Sequence, residues 1–356
     1  MTAPTVASGP HTHAVFNVTR TMVAVMICLT PATVFGFAQF GLPSVLLFAV
    51  TVLSAFGFEI ACLAVTGKPV NRFAMDGSAL LTGWLVAMTL PPWAPWWVGV
   101  TGSGIAIVIA KHAFGGLGQN LFNPAMVARA MLLVALPVPL TNWVAPVGLA
   151  GGPDLVASVA ITFGGAPIYD AVSSASVLST LKSGLDAGTS MADILSQTDS
   201  LRSQFVGVMA GSLGETSAML LLLGGVCLIL LGIITVAIPF SMMGTLFGLA
   251  ALAHVIAPDR FPPPLFHVVS GSSMLCAFFI ATDYVTSPVT SKGRLIYGAG
   301  IGALIFVIRS WGSFPEGVAF AVLLMNAATP LIDEYVRPRI FGRTRAGKPL
   351  ELGEKP

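Results

Sequence analysis

About ten apolar runs, separated by proline, glycine or charge, organise this chain and leave few folds open to it. They lie near residues 21–40, 42–66, 77–90, 96–113, 124–137, 216–235, 237–256, 267–282, 295–309 and 317–335. A backbone inside hydrocarbon must satisfy its N–H and C=O groups internally, so runs of this kind fold as helices. Composition closes off the soluble alternative. Of 356 residues, 55% are hydrophobic and only 9% are charged, against roughly 25% charged in a soluble domain. So few charges cannot cover the surface of a soluble chain of this length. The expected fold class is therefore an all-α polytopic membrane protein. A net charge of +2 is too small for a nucleic-acid binder, and no basic–aromatic interleaving supports one.

The lysines and arginines set the expected orientation. With the N-terminus inside, Arg20, Lys68, Arg72, Lys111, Lys292 and Arg294 lie at or beside cytoplasmic loops, as does the tail with Arg337, Arg339, Arg343, Arg345 and Lys348. Positive charge collects on that side of a membrane. Arg260 and Arg309 break the rule. The organisation that follows is a cytoplasmic N-terminus (1–20), a first group of five spans (21–137), an outer-face loop (138–215), a second group of five spans (216–335) and a basic cytoplasmic tail (336–356). The outer loop carries Asp154, Asp170, Asp186, Asp193 and Asp199 against Lys182 and Arg202. A loop that long in a compact protein is usually functional. The first 20 residues lack the apolar core of a cleavable signal.

A weak internal repeat relates the two groups of spans. Gly77-Ser78-Ala79-Leu80-Leu81 recurs as Gly271-Ser272-Ser273-Met274-Leu275, Thr89 with Pro95 as Thr282 with Pro288, and Gly104 to Lys111 as Gly302 to Arg309. Asn123-Pro124 has a looser counterpart in Asn326-Ala327. An odd number of spans per half makes the halves inverted, and inverted repeats hold ligands near the midplane on broken helices. Runs 77–90 and 124–137 are too short to cross straight and are bounded by prolines, since a full crossing takes about 20 residues. Asn123 before Pro124 reads as a helix N-cap and first turn. Its free N–H groups either meet an electron-rich ligand or simply start a short helix.

Chemistry-bearing residues are sparse. Cys28, Cys62, Cys227 and Cys276 each sit in an apolar run without Cys-x-x-Cys spacing, so no metal centre is expected and buried packing is the simpler role. His11 and His13 lie in the N-terminus; His112, His254 and His267 lie at span ends, unpaired for haem or zinc. Ionisable groups inside spans are costly in lipid and invite a functional reading. They are Glu59, Arg129, Glu215 and Asp283, the last beside Thr282 and Thr286. Asp283 is the strongest candidate for ligand or ion contact. For Arg129 the structural alternative is an ion pair, with Glu59 as partner, and for Glu215 the support of a helix N-terminus. Asp333 and Glu334 close the last span beside the basic tail and read as interfacial.

The segment Asp170-Ala171-Val172-Ser173-Ser174-Ala175-Ser176 resembles the flavin-attachment motif of bacterial ion-translocating redox complexes, Asp-x-x-Ser/Thr-Gly-Ala-Thr. Ser174 stands where that motif has Gly, and Ser176 where it has Thr. If the Gly position needs a positive φ, Ser174 adds strain. The resemblance extends to Asn123-Pro124-Ala125-Met126-Val127-Ala128-Arg129-Ala130, Gly211-Ser212-Leu213-Gly214-Glu215-Thr216-Ser217, Ala281-Thr282-Asp283-Tyr284-Val285-Thr286-Ser287-Pro288, Pro315-Glu316-Gly317 and Met325-Asn326-Ala327-Ala328-Thr329-Pro330. From about residue 15 to 340 the chain is similar to the RnfD family of Rnf ion-translocating electron-transport complexes, which is related to a membrane subunit of the sodium-pumping NADH:quinone reductase.

That resemblance implies a membrane flavoprotein subunit relaying electrons between ferredoxin and NAD(H), with coupled movement of Na⁺ or H⁺. It implies FMN joined through a phosphoester to Ser176, with Asp170, Ser173, Ser174 and Ala175 forming the motif. It also implies a second, noncovalent flavin, riboflavin in the related reductase, and Asn120, Asn123, Thr282 and Asp283 are its candidate contacts. The implied partners are the other flavin- and iron–sulfur-bearing subunits, and a flavin transferase for maturation. The implied location is the bacterial inner membrane. Two other classes remain in view: a small-solute permease or channel of the same inverted-repeat architecture without redox chemistry, and a membrane scaffold with a decayed motif.

Overall fold

The computed structural model describes residues 17–164, 173–198 and 200–337. Every apolar run contains a helix. We label the principal ones α1 (Val18–Phe40), α2 (Leu42–Val65), α3 (Ser78–Thr89), α4 (Trp96–Phe114), α5 (Pro124–Ala135), α6 (Leu155–Gly164), α7 (Val177–Asp186), α8 (Ala218–Leu230), α9 (Ala237–Ile256), α10 (Pro264–Val269), α11 (Ser291–Trp311) and α12 (Val318–Tyr335). Six of them, α1, α2, α4, α9, α11 and α12, are long and apolar enough to cross a bilayer. The protein is an all-α polytopic membrane protein. Extended pairing among the described residues is confined to β1 (Trp143–Val144) against β2 (Ser173–Ser174), with Trp143 opposite Ser174.

Local chemistry sets the ends of these helices. The Asn17 side chain accepts from Arg20 N at 2.8 Å to start α1. Gly41, at φ 71°, turns the chain directly into α2, with Pro43 in its first turn. Pro91-Pro92 follows the end of α3 after 12 residues. The Asn123 side chain accepts from Ala125 N (3.1 Å) and Met126 N (3.3 Å) to open α5, also 12 residues long. The expected short helices are therefore present, and α8 joins them at 13 residues. The run at 267–282 is interrupted. α10 stops at Val269, Gly271 takes φ 66°, and the chain resumes as Ser273–Leu275 and a π-turn over Cys276–Ile280. Gly271 cannot be replaced cheaply, because a Cβ there would lie 2.9 Å from Arg309 Nη2 and 3.0 Å from Glu316 Oε1.

Packing within each half relies on close helix approach. On α11, a Cβ at Gly298 would fall 2.7 Å from Ile238 O, and one at Gly302 would fall 2.3 Å from Met242 O. Small residues four apart let α9 and α11 touch backbone to backbone, as is usual between membrane helices. The halves also make a similar polar contact, one residue out of the repeat's register. Lys111 Nζ donates to Ser78 Oγ at 2.8 Å, and Arg309 Nη2 donates to Ser273 Oγ at 2.9 Å. Each serine follows closely on a left-handed glycine, Gly77 at φ 83° or Gly271 at φ 66°. Across the middle, Asn123 N donates to Asn326 Oδ1 (3.0 Å) and Asn123 Nδ2 to Ile280 O (3.4 Å). Asn326 Nδ2 in turn donates to Tyr297 OH at 2.7 Å. The loose Asn123–Asn326 counterparts of the repeat thus meet each other.

The described part of the segment 138–215 holds several helices. It contains α6, whose Leu155 and Val156 are exposed while Phe163 stacks on Trp96 at 6.5 Å. It also contains α7 and two shorter helices, Met191–Gln197 and Leu201–Val206. α7 packs Val177, Leu178 and Leu181 with Met191, Ile194, Met209 and Phe266 in a small core of its own.

Candidate functional site

Two cavities lie at opposite ends of the interface between the halves. The near one sits at the end where α1 begins. Thr21 and Met22 of α1, Ser78 at the start of α3, Lys111 of α4, and Phe278, Phe279, Leu228 and Ile233 line it. All four expected contacts of a second flavin, Asn120, Asn123, Thr282 and Asp283, line it too. Its free space is about 790 Å³, counting the opening to solvent. The four differ in how much bonding capacity they retain. Asn123 caps α5, and Thr282 Oγ1 donates to Phe278 O at 2.7 Å. Asp283 accepts from Val285 N (3.3 Å) and Thr286 Oγ1 (3.1 Å), which holds the turn after the broken helix. Asn120 makes one weak contact, Nδ2 to Phe122 O at 3.2 Å.

The far cavity is lined by Ser176. Thr89 at the end of α3, Arg129 and Leu133 of α5, Leu140, Trp143, Ser176, Glu215, Ser272 and Glu316 line about 690 Å³ of free space, opening included. Ser176 is the N-cap of α7 and is buried; its Oγ accepts from Ser179 N at 3.2 Å and lies 2.8 Å from Ser179 Oγ. Two residues earlier Ser174 pairs with Trp143, and the Arg129 guanidinium lies 5.9 Å from the Trp143 ring. Arg129 is buried, and its Nη1 has no hydrogen-bond partner among the described residues. Glu316 accepts from Ser272 N at 2.7 Å and from Ser272 Oγ.

The repeat maps one cavity onto the other. Ser78 and Thr282 line the near cavity, and their counterparts Ser272 and Thr89 line the far one. Each cavity is built from the broken or short helix of both halves.

Several expectations change against this geometry. Ser176 lines the far cavity; Ser174 and Ala175 are not among its lining residues. The described backbone of Ser173 belongs to β2, and Asp170 lies outside the described residues. Ser174 is in the paired strand and no described non-glycine residue has a positive φ, so Ser in place of Gly brings no left-handed strain. Arg129 does not pair with Glu59. Glu59 Oε2 lies 2.8 Å from Lys111 Nζ and 3.0 Å from His112 Nε2, at the near end of the bundle. The π-turn over Ile105–Lys111 re-aims Lys111 toward α2, which hydropathy does not disclose. Sequence reasoning also missed Glu316, Ser272, Thr89 and Trp143. The repeat carried a signal for the second and third of these, since they are the counterparts of Ser78 and Thr282.

Comparison with known proteins gives the family. A model of the NQR2, RnfD, RnfE family matches residues 5–342. The chain belongs to this family. It is 62% identical over 301 residues to the ion-translocating oxidoreductase complex subunit RnfD of Rhodobacter capsulatus, covering 85% of this chain and 84% of that protein. To the RnfD subunit of Stutzerimonas stutzeri it is 51% identical over 336 residues, covering 94% and 95%. To that of Vibrio cholerae serotype O1 (strain ATCC 39541) it is 42% identical over 349 residues, covering 95% and 99%. The family match spans both groups of helices and the segment between them, so the lining residues of both cavities lie within it.

Proposed function

We propose that this chain is the flavin-bearing membrane subunit of an ion-translocating oxidoreductase complex. In this reading it carries FMN on Ser176 at the outer face and a second, noncovalent flavin of the riboflavin class in the near cavity, on the cytoplasmic side. Electrons pass between ferredoxin and NAD(H) through partner subunits, and the complex moves Na⁺ or H⁺. Both termini are cytoplasmic, in a bacterial inner membrane. The reading rests on family membership and on relatives described as the RnfD subunit of ion-translocating oxidoreductase complexes. One observation supports the flavin assignment: Ser176 lines the same cavity as a buried arginine with an unused donor, Arg129 Nη1, whose charge is shared with the cavity's carboxylates Glu215 and Glu316.

The residues present fit a phosphoester. Among the described residues, Ser176 is the only motif hydroxyl lining the cavity, with Ser179 next to it. As N-cap of the 10-residue α7, Ser176 stands where free backbone N–H groups and the helix dipole favour negative charge. Arg129 Nη1 supplies a charge-assisted donor to a phosphate oxygen. Trp143 offers an aromatic face on the same side. The near cavity fits an uncharged flavin: Phe278, Phe279 and Leu85 give apolar walls, and Asn120 and Asp283 give polar groups at one end. A bound flavin supplies the electron-carrying chemistry, and this chain's residues hold it and exclude water. The chain contains no nicotinamide fingerprint or cluster ligands, so turnover requires partners.

The test is a denaturing gel viewed under ultraviolet light, with the protein expressed alongside its flavin transferase. A fluorescent band in the native chain, lost in Ser176→Ala and kept in Ser179→Ala, supports the assignment. A band that persists in Ser176→Ala moves the attachment, and no band in the native chain returns the protein to the permease reading.

A further inference from the structure

A third cavity flanks the far one, sharing Leu178 and Pro315 with it, and is larger, with about 1410 Å³ of free space including its opening. It lies between α7, the α9–α10 connection and the end of α11. Four buried polar atoms from three of its residues have no hydrogen-bond partner among the described residues: His267 Nδ1 and Nε2, Arg309 Nε and Ser310 Oγ. His267 is 2% exposed and Arg309 9%. Most of Arg309 is committed to structure. Nη1 donates to His267 O at 2.6 Å, and Nη2 donates to Ser270 O at 3.1 Å and Ser273 Oγ at 2.9 Å. That leaves Nε without any partner, along with one N–H of Nη1. Buried polar groups are normally satisfied, and several orphans in one cavity point to a missing ligand.

The charges narrow the ligand. Arg309 and Arg260 are the two residues that broke the Lys/Arg asymmetry, and both line this cavity, together with Lys182. The lining carboxylates, Asp186 and Asp259, are exposed at the rim, whereas Arg309 and His267 are deep. Glu316 and Glu215 act on Arg309 from the adjoining far cavity, while the lining here presents Arg309 Nε, Ser310 Oγ and one His267 N–H as donors, with Arg260 and Lys182 at the mouth, a set that suits an oxyanion. The surroundings are those of a membrane interface. Phe261, Phe306 and Trp311 cluster with ring centroids 5.8–6.1 Å apart, and Trp311 is exposed. Leading from the cavity, Leu252, Val255 and Ile256 on the last turns of α9 expose apolar side chains. An oxyanion-bearing head beside an apolar track matches an amphiphile.

We propose that this cavity binds the phosphate group of an anionic membrane phospholipid, with Arg309 Nε, Ser310 Oγ and His267 as donors and Arg260 and Lys182 at the mouth. The apolar track on α9 takes the acyl chains. The site owes nothing to the flavin assignment. It also accounts for two arginines on the side where the charge rule expects few.

The experiment uses the full chain, delipidated in a neutral detergent, with lipid retention read by native mass spectrometry and thermal stability read in parallel. Phosphatidylglycerol, phosphatidylcholine and inorganic phosphate are compared. The expected result is preferential retention of and stabilisation by phosphatidylglycerol, weakened roughly tenfold in Arg260→Gln/Ser310→Ala, the size of one lost charge-assisted hydrogen bond. Neither residue is in the bundle core, so the double variant should fold; Arg309→Lys, which keeps charge but loses Nε, should weaken the same preference. Stabilisation by inorganic phosphate alone, lost in the same variants, supports the oxyanion site but assigns its ligand to solution and overturns the lipid assignment. Equal binding of phosphatidylglycerol and phosphatidylcholine, unchanged in the variants, overturns the proposal.

Discussion

Lys111→Met should be one of the most damaging single substitutions in the bundle, and Glu59→Gln/Lys111→Met should be much milder. Lys111 Nζ and Glu59 Oε2 are 2.8 Å apart, and their side chains are 2% and 3% exposed. At an effective dielectric constant of about 20, Coulomb attraction at that distance is worth ~6 kcal/mol. Removing both ions from water costs several kcal/mol each, so the intact pair is close to break-even. Deleting the lysine removes the attraction and leaves the carboxylate's desolvation uncompensated, a loss of about 3–5 kcal/mol. His112 Nε2 lies 3.0 Å from the same oxygen but makes no hydrogen bond to it, so it does not stand in for the lysine. Ser78 Oγ also loses its donor. Reversible unfolding of the purified chain in mixed micelles measures the change, and the corresponding shift in the equilibrium constant is about 100-fold or more. If Lys111→Met lies within about 0.5 kcal/mol of the native chain, or if the double variant is no better than the single one, the buried-pair reasoning is wrong.

Gly302→Ala should lose about 1–3 kcal/mol through overpacking, because the new methyl would sit 2.3 Å from Met242 O. The control Gly244→Ala, with nothing within 4 Å of its Cβ, should lose none, and thermal unfolding in detergent compares the two. A cysteine at Ser196, which is exposed, should react with a membrane-impermeant thiol reagent in intact spheroplasts while one at Gly347 stays silent; the reverse pattern inverts the assigned orientation. Asp283→Asn should keep the covalent flavin band and slow coupled turnover of the assembled complex, since the near cavity is altered and the far one is not. Native turnover and ion transport in that variant would make Asp283 a turn-holding residue alone.

Much of the fold was legible because hydropathy at membrane length is a strong signal, and every expected run contains a helix. Prolines told which helices are short: α3 is followed by Pro91-Pro92 and α5 opens on Pro124. The break after α10 was less visible, since it depends on the left-handed Gly271 in a run that otherwise reads as continuous. α6 was hidden because its 10 residues are too few for a span and lie in a segment that reads as a polar loop. At the site, Ser176 came from a short motif and Asn120, Asn123, Thr282 and Asp283 from the family resemblance, and each of the five lines one of the two cavities. Pairing was not legible. Which acid meets Lys111 and which aromatic ring meets Arg129 depend on helix rotation and tertiary approach, as the failed Glu59–Arg129 pairing shows.

The contact between Asn123 and Asn326 bears on how such a bundle could couple events at its two ends. Asn123 N and Nδ2 reach Asn326 and Ile280 in the other half, and Asn326 is itself held by Tyr297 OH. Sliding the halves as rigid bodies would strip partners from several buried groups, at about 1–3 kcal/mol each. Rocking of one repeat against the other, the usual motion of an inverted-repeat permease, is therefore resisted where these asparagines meet. The helix breaks are held too: beside left-handed Gly77 and Gly271, Lys111 grips Ser78 and Arg309 grips Ser273. Those breaks border the cavities themselves: Ser78 and Lys111 line the near one, and Ser272 the far one. With the interface asparagines and the helix breaks both held by buried hydrogen bonds, this static geometry suits alternating access by rigid rocking poorly.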